Sequence, residues 1–299
     1  MNNVDLSVIV ATRNRANSLF RLLDSLSQQI DPPNFQVIVS DNGSYDHTSE
    51  VVKNASKLFP IHYIKVPRPG KSHALNETFK HAIGSLLVFT DDDVVANSSW
   101  LRFLYEASIN FKDCNIFGGR IDVDFKYVPE WVRKSFNLKG LLTSAHNLGD
   151  SFIRYGYGAY PFGPNMAIRR HLIAGLIAPY PENMGPGALI PIGDETGFLI
   201  RFSPPESKDR LYVPSACVMH EVEPENVAFK TALIRCFLAG RAIGLLGLPP
   251  VANRDPKTVS IKMVMLERLR SCASPQELIC IIARYLGYIS EKNRSQCRN

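Results

Sequence analysis

The chain has 299 residues, 45% hydrophobic and 21% charged, with 19 Gly and 20 Pro, which excludes collagen-like, disordered and coiled-coil proteins. That length fits about one large domain or two modest ones. The net charge of +6 is lodged in residues 223–299, where 12 Lys/Arg face 6 Asp/Glu, and a basic tail on a neutral body points to an anionic partner such as a membrane surface more than to a nucleic-acid-binding fold. A solvated helical face is the alternative reading of that charge.

Met1-Asn2-Asn3-Val4-Asp5 has neither a basic n-region nor an apolar h-region, so no secretory signal is expected. Leu6–Ala11 is a short apolar run suited to a buried parallel strand. After the polar turn Thr12–Arg15, Leu19, Leu22, Leu23 and Leu26 recur at helical spacing, and Pro32-Pro33 stops the helix. A second strand, Phe35–Val39, ends at Ser40-Asp41-Asn42-Gly43-Ser44. A helix over 48–58 and a strand over 61–66 follow; Pro67 and Pro69-Gly70 break the chain, and 72–83 reads as a helix. The fourth strand, Leu86–Thr90, runs into Asp91-Asp92-Asp93. Alternating strands and helices predict an α/β fold, a doubly wound, mostly parallel sheet with right-handed crossovers. Ligands of such sheets bind beyond the carboxyl ends of the strands, where Thr12–Arg15, Asp41–Ser44 and Asp91–Asp93 all fall.

Beyond Trp100 a helix over 99–111 precedes a strand over 115–123. Residues 129–191 are rich in Gly, Pro and Tyr, as in a loop-bearing substrate region, and from Ala228 onward the pattern is helical. The most apolar stretch of that tail, Leu233–Leu248, is interrupted by Arg235 and Arg241, so no transmembrane helix is predicted. Cys114, Cys217, Cys236, Cys272, Cys280 and Cys297 form no Cys-x-x-Cys pair, which speaks against a zinc ribbon or thioredoxin-type site and for reduced cytosolic thiols.

Three consecutive carboxylates at a strand end repel one another, and a divalent cation relieves the repulsion; hard oxygen ligands suit Mg²⁺ or Mn²⁺. A solvated acidic loop is the plainer alternative. His220, after another apolar run, is a candidate further ligand or a structural histidine. Arg68-Pro69-Gly70-Lys71-Ser72 puts a glycine and a cation before a helix N-terminus, which favours an anion, without the P-loop spacing. No Gly-x-Gly-x-x-Gly follows the first strand, against a nicotinamide enzyme. Gly193-Asp194-Glu195 opens an amphipathic segment; its acids suit the helix dipole or supply a general base.

Together these segments, with Gly70–Asn76, Gly163–Arg169 and Gly193–Arg201, make the chain resemble family 2 glycosyltransferases of GT-A fold over roughly residues 4–222. The resemblance implies a GT-A domain over 1–222, with a nucleotide-binding half at 1–95, an acceptor half at 96–222 and a basic helical extension at 223–299. It implies that Thr12, Arg13 and Arg15 line the nucleotide pocket, that Asp41 meets the base, and that Gly70 and Lys71 border the nucleotide. Asp91, Asp92 and Asp93 form the acidic motif, with Asp93 the direct metal ligand, Asp91 nearer the ribose or sugar, and His220 a further diphosphate or metal contact. The family pattern Gly-Glu-Asp stands here as Gly193-Asp194-Glu195, so Glu195 and Asp194 both remain candidates for the catalytic base. The implied reaction is metal-dependent, inverting transfer from a nucleoside-diphosphate sugar, UDP-linked first, to a glycan or lipid-linked acceptor in cell-surface polysaccharide or glycoconjugate synthesis. The implied setting is the cytoplasm, at the inner face of the membrane, with a homo-oligomer as a further expectation. Tyr155–Tyr160 is a candidate lid or sugar-stacking platform, or simple packing. Two other readings compete: a haloacid-dehalogenase-like phosphatase using Asp91, and a non-catalytic nucleotide- or glycan-binding relative.

Overall fold

The computed structural model describes residues 4–249 and 261–296. In chain order the elements are β1 (Leu6–Thr12), α1 (Ala16–Ser27), β2 (Phe35–Asp41), α2 (Thr48–Ala55), β3 (Ile61–Lys65), α3 (Lys71–Thr78), β4 (Leu86–Asp91), β5 (Val94–Ala96) and α4 (Trp100–Asn110). They continue with β6 (Ile116–Val123), α5 (Glu130–Arg133), α6 (Lys139–Thr143), β7 (Ile153–Arg154), β8 (Met166–Arg169), α7 (Asp194–Leu199), β9 (Arg210–His220), α8 (Phe229–Leu245), α9 (Ile261–Arg270) and α10 (Pro275–Gln296). One sheet runs in the order β3-β2-β1-β4-β8-β6-β9-β5, with β7 beside β9. It is parallel from β3 to β4 and between β6 and β9, and antiparallel where β8 and β5 join.

The continuous apolar run of β1 follows from cover on both faces. Leu6, Val8 and Val10 pack with the leucines of α1 and with Trp100, Leu101 and Leu104 of α4. Ile9, pointing the other way, packs with Leu75 of α3 and Phe198 of α7. The predicted leucine stripe of α1 is fully internal. Its N-terminus is capped from a distance, Ala16 N donating to Asp46 Oδ2 at 3.0 Å, while the Arg15 side chain, which can only donate, reaches the acidic motif.

The helix expected over 72–83 begins at Lys71 and ends at Thr78. The chain must turn there to enter β4, and Gly84 lies flush on β1, where a Cβ would sit 2.4 Å from the Leu6 carbonyl carbon. The loop-bearing middle third contains β8, which pairs with both β4 and β6. Its four residues are too few for a periodicity to register.

The C-terminal helices pack on each other through small residues. Ala232, Cys236, Gly240 and Gly244 fall four apart along α8 and face α10. A Cβ on Gly240 would lie 1.8 Å from the Arg284 carbonyl oxygen, so the two backbones are in direct contact. Glu277, buried at the start of α10, ties the pair to the body: it accepts from Ser135 Oγ at 2.6 Å and Asn137 Nδ2 at 3.0 Å. Gly240→Val is therefore expected to cost about 3 kcal/mol, at the upper end for overpacking, read by urea unfolding; an unchanged midpoint would contradict this packing. No described helix is long and apolar enough to cross a membrane. Cys297 and positions 250–260 of the basic extension lie outside the described residues.

Candidate active site

The registers Thr12↔Asp41 and Ala11↔Asp91 end β1, β2 and β4 at one level of the sheet, so the three polar clusters share one edge. A cavity of about 380 Å³ opens there, lined by Thr12, Arg13, Arg15, Asn42, Gly70, Lys71, the three aspartates and the Pro186-Gly187 turn. Thr12 Oγ1 donates to Asp92 Oδ2 at 2.7 Å, and Arg15 reaches Asp92 at 3.4 Å and Asp93 at 3.0 Å. Antiparallel pairing of Val94 with His220 brings a residue 127 positions downstream beside Asp93, their ligand atoms 3.4 Å apart.

Asp91, Asp93 and His220 offer ligand atoms that all lie within 4.8 Å of one another. Asp93 Oδ1 and His220 Nδ1 are buried without a hydrogen-bond partner. Two carboxylates and an imidazole gathered this closely fit Mg²⁺ or Mn²⁺. Burial opposes ionisation of Asp93, but the His220 ring, Arg15 and Lys71 outweigh it and hold the carboxyl below its ordinary range. Asp92 is different: burial pushes its carboxyl up to about 6 against the pull of Arg15 and Thr12. Facing Thr12 and Arg15, Asp92 braces the wall of the cavity.

Asp41, expected to meet the base, is 2% exposed, and both of its oxygens are engaged: Oδ1 by Ser44 N at 2.7 Å and Oδ2 by the Tyr63 hydroxyl. It does not line the cavity, and its neighbour Asn42 does. Asn42 donates to the carbonyls of Val66 and Arg68 and accepts from Gly70 N at 2.8 Å, fixing the turn that delivers Lys71. Gly70 has φ 127°, which favours glycine, and Lys71 N donates to Pro186 O at 3.2 Å. The sequence signals for this were the Asn in the strand-end turn and the Gly185-Pro186-Gly187 run.

Lys71 joins this cavity to a second of about 340 Å³, lined by α7, by α8 and by Arg284 of α10. Lys71 Nζ lies 2.6 Å from Asp91 Oδ1 and 3.4 Å from Glu195 Oε1. Burial opposes its charge, and Asp91, Glu195 and Asp194 outweigh burial, so the ammonium stays protonated well above its usual range. The adjacent acids split. Burial and then Glu195 push Asp194 well up, while Lys71 overrides burial at Glu195 and holds it below its usual range. Glu195 is thus the ionised member and Asp194, 2% exposed, the protonated one. Gly163 makes the room: a Cβ there would lie 2.6 Å from Glu195 Oε1. Removing the ammonium in Lys71→Met is expected to move the acid limb of the pH–rate profile to higher pH by about one unit or more. An unmoved limb would detach Glu195 from that limb.

Tyr155 and Tyr160 of the aromatic segment are packed in place. The Tyr160 hydroxyl donates to Ser203 O at 2.7 Å under the Arg210 guanidinium, and Tyr155 stacks on His146. These two rings are part of the core, which leaves only Tyr157 of the three available for a lid or platform.

Residues 7–175 match the family described as glycosyl transferase family 2, and the chain belongs to that family. Among curated relatives it is 31% identical over 119 residues to the uncharacterized glycosyltransferase YfnE of Bacillus subtilis, covering 38% of this chain and 30% of that protein. It is 34% identical over 105 residues to the validoxylamine A glucosyltransferase of Streptomyces hygroscopicus subsp. limoneus, covering 34% and 23%. The match thus spans about a third or less of the length of these relatives. Solved structures share the fold, among them two at a TM-score of 0.55. Staphylococcus aureus TarS 1-349 in complex with UDP is 15% identical, covering 99% of this chain and 92% of that one. The mannosyltransferase PcManGT of Pyrobaculum calidifontis, with GDP-Man and Mn²⁺, is 16% identical, covering 100% and 77%. The GT-A expectation therefore holds, and the family removes the phosphatase alternative built on Asp91.

Proposed function

We propose that this chain transfers a sugar from a nucleoside-diphosphate donor to an acceptor hydroxyl by direct displacement with inversion. The observation that carries the reading is the meeting of two cavities at Lys71 and Asp91, with the acidic motif and His220 on one side and Glu195 on the other. The strand-edge cavity would seat the nucleotide, Thr12, Arg13 and Arg15 bordering it and Asn42 shaping its floor. Asp91, Asp93 and His220 would hold Mg²⁺ or Mn²⁺, which supplies Lewis-acid stabilisation of the departing diphosphate. Arg15 and Lys71 add fixed positive charge where negative charge develops. Glu195, ionised and facing the second cavity, takes the proton from the acceptor hydroxyl as that oxygen attacks the anomeric carbon from the side opposite the leaving group. Asp41, behind the Ser44 turn, would orient the base region.

TarS binds UDP-GlcNAc and PcManGT binds GDP-Man with Mn²⁺, so UDP and GDP sugars are the donors to test first. A panel of UDP, GDP and dTDP sugars with Mg²⁺ or Mn²⁺ is expected to show metal-dependent turnover of one donor. Tight nucleotide binding without transfer or donor hydrolysis across the panel would favour a non-catalytic relative.

The acceptor setting we infer is the cytoplasmic membrane surface, with a lipid-linked or polysaccharide acceptor. Leu278, Ile282, Leu286 and Ile289 form an exposed apolar stripe along α10, and Lys292 and Arg294 are exposed beyond it, the pattern of an interfacial helix. Salt-sensitive co-sedimentation with anionic phospholipid vesicles is expected, weakened in Leu286→Glu; no binding by the full chain would remove the membrane contact.

A further inference from the structure

Interior arginines in this chain are of two kinds. Arg210, fully buried, donates to Ser203 Oγ at 2.6 Å, to Pro204 O at 2.7 Å and to Pro205 O at 2.9 Å, and lies over the Tyr160 ring. Arg169 serves the carbonyls of Ser108, Phe111 and Cys114, and Arg241 pairs with Glu291 at 2.8 Å. Each of these ties one part of the fold to another and is largely consumed by doing so.

Arg235 of α8 and Arg284 of α10 are not. Among the described residues Arg235 makes one bond, from Nη2 to Leu141 O at 3.2 Å. Arg284 makes none there, and its Nε is buried without a partner. Among the described residues neither lies within 4.0 Å of a carboxylate. Both side chains are half-buried, and burial draws both guanidinium groups down from their ordinary proton affinity. Both line the cavity that holds Glu195, in a wall otherwise built from Ala239, Ala242, Ile243 and Leu246. Arg284 also lines an adjoining cavity of about 650 Å³.

A guanidinium drawn from water without a counter-charge is costly, and its planar fork matches the oxygens of a carboxylate or phosphate. We propose that Arg235 and Arg284 form an anion subsite of the acceptor cavity, so that the acceptor carries an oxyanion, a phosphate ester or a carboxylate, close to the hydroxyl that receives the sugar. This rests on the reading of that cavity as the acceptor site. The charges divide the cavity by function: Lys71 answers the acids at the reacting end, and the two arginines remain for the incoming molecule. The adjoining cavity behind Arg284 gives a longer acceptor room to continue.

The test uses the full chain saturated with UDP and Mn²⁺, so that the donor side is filled. Ligand-observed NMR compares glucose 6-phosphate, glucuronate and neutral methyl glucoside. At least one charged probe is expected to bind about tenfold or more tighter than the neutral sugar, and the ranking of phosphate against carboxylate names the source of the oxyanion. The preference should collapse in Arg284→Gln and in Arg235→Gln and persist in part in Arg284→Lys, with UDP·Mn²⁺ affinity reporting that each variant is folded. Equal binding of all three probes, or a charged preference that survives both glutamine variants, overturns the subsite. Failure to bind UDP would instead strike the donor reading, whatever the charged sugars do.

Discussion

Glu195→Gln is expected to lower the rate of sugar transfer by about 100- to 10,000-fold, the span of a lost general base, with donor affinity retained. The substitution keeps the side-chain shape in the space left by Gly163 and removes the charge that Lys71 stabilises. Asp194→Asn provides the contrast. Asp194 is buried and held protonated by burial and by the neighbouring Glu195, so its amide mimics the state already present. It should cost far less. Steady-state kinetics of both variants on one donor decide the matter, and a reversed order would transfer the base to Asp194.

Asp93→Ala carries the second large effect. It removes one of three candidate ligands and leaves Arg15 and His220 without their shared carboxylate. Loss of several kcal/mol of transition-state stabilisation corresponds to about a thousandfold or more in rate. The diagnostic feature is a split in binding: UDP affinity without metal should hold or improve, because a negative charge has gone, while the gain from added Mn²⁺ should vanish. Full activity in Asp93→Ala, or an unchanged metal-dependent gain, would refute the ligand assignment.

Much of this site is legible in the first 95 residues, because the signals there are strong and local. Leucines at helical spacing mark α1, and buried apolar runs mark β1, β2 and β4. Parallel topology then requires the turns that follow these strands, at Thr12, Asp41 and Asp91, to meet at one edge.

That Asn42 rather than Asp41 lines the cavity is not legible, because the two are adjacent in a turn and only the Tyr63 and Ser44 contacts show which one faces away from it. His220 is weak as a lone histidine and becomes a candidate ligand through the pairing of β5, a three-residue strand with no periodicity to read. The room for Glu195 depends on Gly163, far from it in sequence, and the cavity between α7, α8 and α10 arises from helix packing. Helical spacing announces that such helices exist and says nothing of which arginines they turn into the cavity.

The most direct measurement is Mn²⁺ binding by calorimetry and electron paramagnetic resonance, with and without UDP. One Mn²⁺ per chain in the presence of UDP, lost in Asp93→Ala and weakened in His220→Ala, is the predicted result. UDP binding that is equally tight in chelator, with no Mn²⁺ taken up by the complex, would contradict a metal site at Asp91, Asp93 and His220.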